Sequence, residues 1–105
     1  MDSSTYKIRT GCGNMYITIG TDGKTYELFT SLGKAGTCAQ AQVLSISSMI
    51  NLAMNCGKPL SEVATKLSGI SCASPSLDAK SCADAISIAI KRYIESENGG
   101  GNASS

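Results

Sequence analysis

The spacing of apolar residues divides the chain into a first third typical of strands and a longer helical part. Residues 14–19 (NMYITI) alternate between the two faces of a strand. Shorter strands are predicted at residues 6–9 (YKIR) and 25–30 (TYELFT), and the Asp-Gly pair in TDGK before the latter favours a tight hairpin turn. The pattern predicts an antiparallel sheet of two or three strands. One face of its central strand carries three large apolar residues, Met15, Ile17 and Ile19.

The remainder shows apolar residues at helical spacing in three segments. A long helix is predicted from Ala39 to Cys56. A short helix opens after Pro59 and is closed by Gly69, since proline suits the first turn of a helix and glycine suits its end. A third helix starts near Ser81. Its apolar side is formed by Ile86, Ala89, Ile90, Tyr93 and Ile94.

This order of elements predicts an α+β fold, in which a small N-terminal sheet packs against three helices. The chain has 105 residues, enough for one domain with its own core. We assign residues 1–95 to that domain and residues 96–105, which are rich in glycine and serine, to a flexible tail.

The charge balance argues against two classes of partner. Nine basic and eight acidic residues give a net charge of +1, so no overall field attracts nucleic acid or an anionic membrane. No apolar run is long enough to span a bilayer, and the N-terminus lacks the signature of a signal peptide. We therefore expect a cytoplasmic protein that binds neither nucleic acid nor membrane.

Five cysteines and the absence of histidine restrict the chemistry. In a reducing compartment, cysteines serve metal binding or redox chemistry more often than disulfides. Without histidine there is no Cys-His nucleophile pair and no mixed zinc site. We expect Cys56, at the end of the long helix, to act as a small buried residue. The other four match an all-sulfur zinc site, with buried unligated thiols and a redox pair as the alternatives: Cys12, Cys38, Cys72 and Cys82.

Two of these cysteines follow a hydroxyl residue at a predicted helix start. In TCAQ, Thr37 and Gln40 stand at the positions of a capping box, and in SCAD the same positions are held by Ser81 and Asp84. A capping box does not need a cysteine in its second position. The free N–H groups and the dipole of a helix start favour a thiolate there.

The same helix starts carry the ingredients of an anion site. The stretch LGKAGT places glycines and a lysine directly before a helix N-terminus, although a plain connecting loop has the same composition. Lys80 adds a second positive charge at the other helix start. The predicted site for a nucleotide or another small anion consists of Gly33, Lys34, Gly36, Thr37, Lys80, Ser81 and Asp84.

Several stretches together resemble the TSCPD domain, known from the C-terminus of adenosylcobalamin-dependent ribonucleotide reductases. They are TGCGNMYITI, YELFTSLGKAGTCAQAQ, CGKPLSEVATKLSGISC and KSCADAISIAI. The motif that names the family reads Lys80, Ser81, Cys82, Ala83 and Asp84, so lysine and alanine replace the family's threonine and proline. The family pattern also includes cysteines that match Cys12, Cys38 and Cys72.

The resemblance implies an accessory role. In the reductases this domain is attached to a catalytic barrel, which a chain of 105 residues cannot contain. We therefore expect a free-standing binding or regulatory module that is non-catalytic alone, holds zinc, and binds a nucleotide or a reductase-like protein. The alternative is a cytosolic thiol or redox protein that uses Cys38 or Cys82.

Self-association is a further expectation. A sheet of two or three strands packed against helices leaves one face or edge open, and the face with Tyr16 and Thr18 is only half polar. We expect a homodimer or a larger homo-oligomer.

Overall fold

The computed structural model describes residues 2–11, 13–33, 38–72, 76 and 78–102. Its elements, in chain order, are β1 (Asp2–Thr10), β2 (Gly13–Thr21), β3 (Tyr26–Leu32), α1 (Cys38–Asn55), α2 (Leu60–Leu67) and α3 (Cys82–Asn102). This order confirms the predicted α+β fold with an N-terminal antiparallel sheet and three helices. None of the helices in the described part of the chain is long and apolar enough to cross a membrane.

The sheet is antiparallel, with β2 between β1 and β3. The predicted turn between β2 and β3 is confirmed. Asp22 Oδ1 accepts hydrogen bonds from the backbone N–H groups of Lys24 and Thr25, both at 2.9 Å, and Gly23 adopts a φ of +97° that favours glycine. The N–H groups of Thr25 and Lys24 lower the pKa of the Asp22 carboxyl because they stabilise its charged form.

The core lies between one face of the sheet and the helices. The predicted face of β2, with Met15, Ile17 and Ile19, is fully buried, and so are Ile86 and Ile90 of α3. Helix α3 packs on β1 and β2, α1 packs along β3, and α2 packs on α3. No described helix packs on the other face of the sheet, and the described side chains on it are mostly exposed.

Helix α1 also covers the outer edge of β3 with polar side chains. Asn51 accepts a hydrogen bond from the Leu28 N–H at 2.9 Å and donates one to the Leu28 carbonyl at 3.1 Å, as a neighbouring strand would. Gln40 Oε1 accepts a bond from the Leu32 N–H at 3.0 Å. The polar face of α1 therefore does not meet solvent here. It protects a strand edge that would otherwise be open to pairing.

Two features differ from the sequence-based expectations. Cys56 is exposed, so its expected role as a buried residue is wrong. It lies just beyond the last residue of α1, where the chain turns away through Gly57 at a φ of +93°. The helix α3 continues to Asn102, past the expected start of the tail at residue 96. Glu97 accepts a hydrogen bond of 3.4 Å from the hydroxyl of Tyr26, and the mobility of the tail stays a prediction.

We expect the substitution Asn51→Ala to destabilise the fold, because it leaves a part-buried N–H and carbonyl of Leu28 without their partners. The free energy of unfolding should fall by about 1–3 kcal/mol. Urea denaturation followed by circular dichroism measures it. Asn55→Ala is the control, since Asn55 is exposed near the end of the same helix. Equal effects at the two positions would contradict the edge-covering role of Asn51.

Candidate functional site at one end of the sheet

The ends of all three strands meet at one end of the sheet. The hydroxyl of Thr10, the last residue of β1, donates a hydrogen bond of 2.8 Å to the carbonyl of Gly13, the first residue of β2. Gly33, directly after β3, donates its N–H to the Asn14 carbonyl at 3.2 Å. Gly13 has a φ of +120°, which suits the tight connection that contains residue 12. We refer to this region as the sheet end.

The first turn of α1 is fixed at the sheet end by Gln40. The bond between Gln40 and the N–H of Leu32 ties this turn to the last residue of β3. Cys38 is the first residue of α1 and is exposed. Its thiol therefore lies on a helix start that is anchored two residues further along the chain.

The connection between α2 and α3 reaches the same region. Ser76 donates its hydroxyl to the Arg9 carbonyl at 2.7 Å, which anchors the connection to β1. The N–H of Cys72 donates to the Lys80 carbonyl at 3.1 Å. The Cys82 thiol lies 3.9 Å from the hydroxyl of Thr10. Cys72 and Cys82 therefore belong to segments that meet near the end of β1.

Asp84 holds this connection at both of its ends. Its N–H donates to Ser81 Oγ at 3.0 Å, which confirms the predicted cap by serine. Its carboxylate accepts hydrogen bonds from the N–H groups of Gly69 at 2.8 Å and Lys80 at 2.9 Å. Asp84 therefore clasps the loop as well as standing in the first turn of α3. The side chain is buried, so these bonds are shielded from water.

The described cysteines of the site are not core residues. Cys38 and Cys72 are exposed and Cys82 is partly buried, and none of the three is in a disulfide. The alternative of buried unligated thiols is therefore wrong for Cys38 and Cys72. Within the described residues, no group of three or more cysteine, aspartate or glutamate side chains is arranged to hold a metal ion. The fourth predicted ligand, Cys12, lies outside the described residues.

The residues predicted to bind an anion are described only in part. Gly33 and Lys80 both lie at the sheet end, and the side chain of Lys80 is exposed. The Ser81 hydroxyl is buried, and its oxygen accepts a hydrogen bond from the N–H of Asp84. Three further members of the predicted site, Lys34, Gly36 and Thr37, lie outside the described residues.

Sequence reasoning missed a groove of about 400 Å³ between α1 and α2. Its floor is apolar and includes Ile46, Ile50 and Val63, and Met49 stands exposed at its side. An ion pair of 3.8 Å between Lys58 and Glu62 lies at its rim. Met49 falls outside the apolar stripe that faces the core. An apolar residue outside that stripe is the sequence signal that could have indicated the groove.

We expect Asp84→Ala to release the loop between α2 and α3. The N–H groups of Gly69 and Lys80 lose their acceptor, and unfolding should become easier by about 1–3 kcal/mol. Hydrogen exchange at these two amides should accelerate more than at amides of the sheet. Asp78→Ala is the control, because Asp78 is an exposed aspartate of the same connection. Unchanged exchange at Gly69 and Lys80 would contradict the clasp.

The comparison with family models gives one match, to the TSCPD domain, over residues 1–94 of the 105-residue chain. No curated protein and no solved structure gives a match. The matched range includes every segment that meets at the sheet end, together with the clasp formed by Asp84. The chain belongs to the TSCPD domain family.

Proposed function

We propose that this TSCPD domain is a non-catalytic binding module that holds one zinc ion at the sheet end through Cys12, Cys38, Cys72 and Cys82. The observation that supports this is that the segments carrying Cys38, Cys72 and Cys82 all reach the sheet end, although these three thiols are not themselves arranged to hold a metal ion. Residue 12 lies in the connection that Thr10 and Gly13 close, and Cys82 contacts that same threonine.

The chemistry of the donors fits zinc. Four thiolates give the closed tetrahedral coordination typical of structural zinc, with bonds of about 2.3 Å. The chain has no histidine to replace a sulfur ligand. Exposure of Cys38 and Cys72 leaves their thiols accessible to a metal ion, which buried core cysteines would not be. Such an ion would link the β1–β2 connection to the starts of α1 and α3 and would stabilise the fold.

The proposal includes an anion, such as the phosphate of a nucleotide, bound beside the thiols. Lys34 and Lys80 supply positive charge, and the start of the 18-residue helix α1 supplies free N–H groups and a dipole. Gly36 and Thr37 lie immediately before this helix. The backbone of Lys80 is held by Asp84, so the fixed loop places the lysine while its side chain stays exposed. Ser81 and Asp84 thus act by positioning Lys80.

A second reading, a thiol or redox protein, is favoured by one observation. Cys38 is exposed at the first residue of a long helix, so its thiol is accessible to a reactant. Zinc coordination and redox reactivity predict opposite rates of alkylation for this thiol. A metal-bound thiolate resists alkylation until the metal is removed, whereas a reactive thiol is alkylated at once. In the zinc proposal, by contrast, the domain is non-catalytic and would act by binding a reductase-like protein.

We expect about one equivalent of zinc in the protein purified without added metal. Cys82→Ser should release the zinc and lower the melting temperature. Cys56→Ser should do neither, because Cys56 is exposed at the far end of α1. Elemental analysis and thermal unfolding measure these effects. Metal-free protein with a rapidly alkylated Cys38 would contradict the zinc proposal and favour the redox reading.

We expect Lys34→Glu to weaken the binding of ATP, used as the probe, by roughly tenfold at low ionic strength, because the substitution reverses the charge beside the phosphates. The difference between the two proteins should shrink as salt is added. Isothermal titration calorimetry measures both effects. Lys24→Glu is the control, since Lys24 is exposed in the turn at the opposite end of the sheet. Binding that ignores Lys34 and ionic strength would contradict the anion site.

A further inference from the structure

The uncovered face of the sheet carries an ordered pattern of side chains, which we refer to as the outer face. The strand register aligns its residues in rows across the three strands. The middle row contains Thr5, Thr18 and Phe29. The row nearer the sheet end contains Lys7, Tyr16 and Ser31, and the row on the other side contains Ser3, Gly20 and Glu27.

The outer face combines exposed aromatic rings with opposite charges at two corners. Phe29 is 57% exposed and Tyr16 is 41% exposed, and the two lie in neighbouring rows on adjacent strands. Lys7 is on β1 and Glu27 is on β3, at diagonally opposite corners of the three rows. Among the described residues, the ion pair found joins Lys58 and Glu62, so neither corner charge is in one.

The spacing of the sheet allows one two-fold axis to match both the two charges and the two rings with those of a second copy. Neighbouring strands are about 4.8 Å apart, and residues on one face repeat about every 6.8 Å along a strand. We place a second copy face to face with the first. The two-fold axis lies between the two sheets and parallel to them, passes over Thr18, and is perpendicular to the line from Lys7 to Glu27. This operation lays Lys7 over Glu27 of the second copy. It also brings Tyr16 close to Phe29 of the second copy.

The strands of the two sheets then cross at about 70°, closer to the orthogonal than to the aligned arrangement of packed sheets. By symmetry each contact occurs twice, as in every isologous interface. Thr18 lies on the axis, and its hydroxyl shares a hydrogen bond of 2.9 Å with that of Thr5, which satisfies one of the two hydroxyl protons within the chain.

We propose that the outer face is a homodimer interface, in which a second copy of this chain packs through two ion pairs between Lys7 and Glu27 and two aromatic contacts between Tyr16 and Phe29. A second copy is the occupant because the charges of Lys7 and Glu27 and the rings of Tyr16 and Phe29 find their complements on the same face. The face is three strands wide, which is small for a stable interface, so we expect dissociation in the micromolar range.

Charge reversal tests this arrangement. Lys7→Glu alone and Glu27→Lys alone each place like charges in both pairs, and each should weaken the dimer by about tenfold or more. The double variant restores opposite charges and should regain dimerisation to within about threefold of the original protein. Sedimentation equilibrium from low to high micromolar concentration measures these constants.

The control is Lys66→Glu, because Lys66 is an exposed lysine of α2, on the opposite side of the fold from the outer face. It should leave the dimer unchanged. Circular dichroism and zinc content of all variants separate this inference from the zinc proposal, since Lys7 and Glu27 are not among the predicted metal ligands. A monomer at high micromolar concentration would overturn the inference. A dimer that tolerates both single reversals and Phe29→Ser would also overturn it.

Discussion

Two oxygen atoms of one buried carboxylate hold the connection between α2 and α3 at both of its ends. Asp84 accepts the N–H of Gly69 just after α2 and the N–H of Lys80 just before α3. Hydrogen bonds from a backbone N–H to a charged acceptor are among the stronger ones in proteins, and burial protects these two from water. The path of the intervening loop, and with it the place of Cys72, depends on this clasp.

The clasp is one of several contacts that hold segments far apart in sequence at one end of the sheet. The loop is anchored to β1 by Ser76, the start of α3 contacts Thr10, and Gln40 fixes the start of α1 beside β3. A zinc ion at this point would crosslink segments that these side-chain hydrogen bonds have already brought to the same end of the sheet. The metal would then add stability to an arrangement whose topology the protein itself provides. Among the described residues, none of these anchors involves the outer face of the sheet.

Elements that depend on local patterns were predicted well. The alternation around Met15, Ile17 and Ile19 and the Asp-Gly pair of the hairpin both operate within a few residues, and the structure confirms them. Interactions between distant residues were not predicted. Asp84 stands at the capping-box position, yet its carboxylate bonds to Gly69, fifteen residues earlier in the chain. No spacing rule connects Asn51 with Leu28, and the exposure of Cys56 depends on a turn that follows it.

X-ray absorption spectroscopy of the metal is the most direct test of the proposed four-cysteine zinc site. X-ray absorption at the zinc edge, on protein purified without added metal, reports the number and kind of ligand atoms. We expect four sulfur atoms at about 2.3 Å from one zinc ion. A spectrum dominated by oxygen or nitrogen ligands, or a protein that shows no zinc absorption edge, would contradict the four-thiolate site.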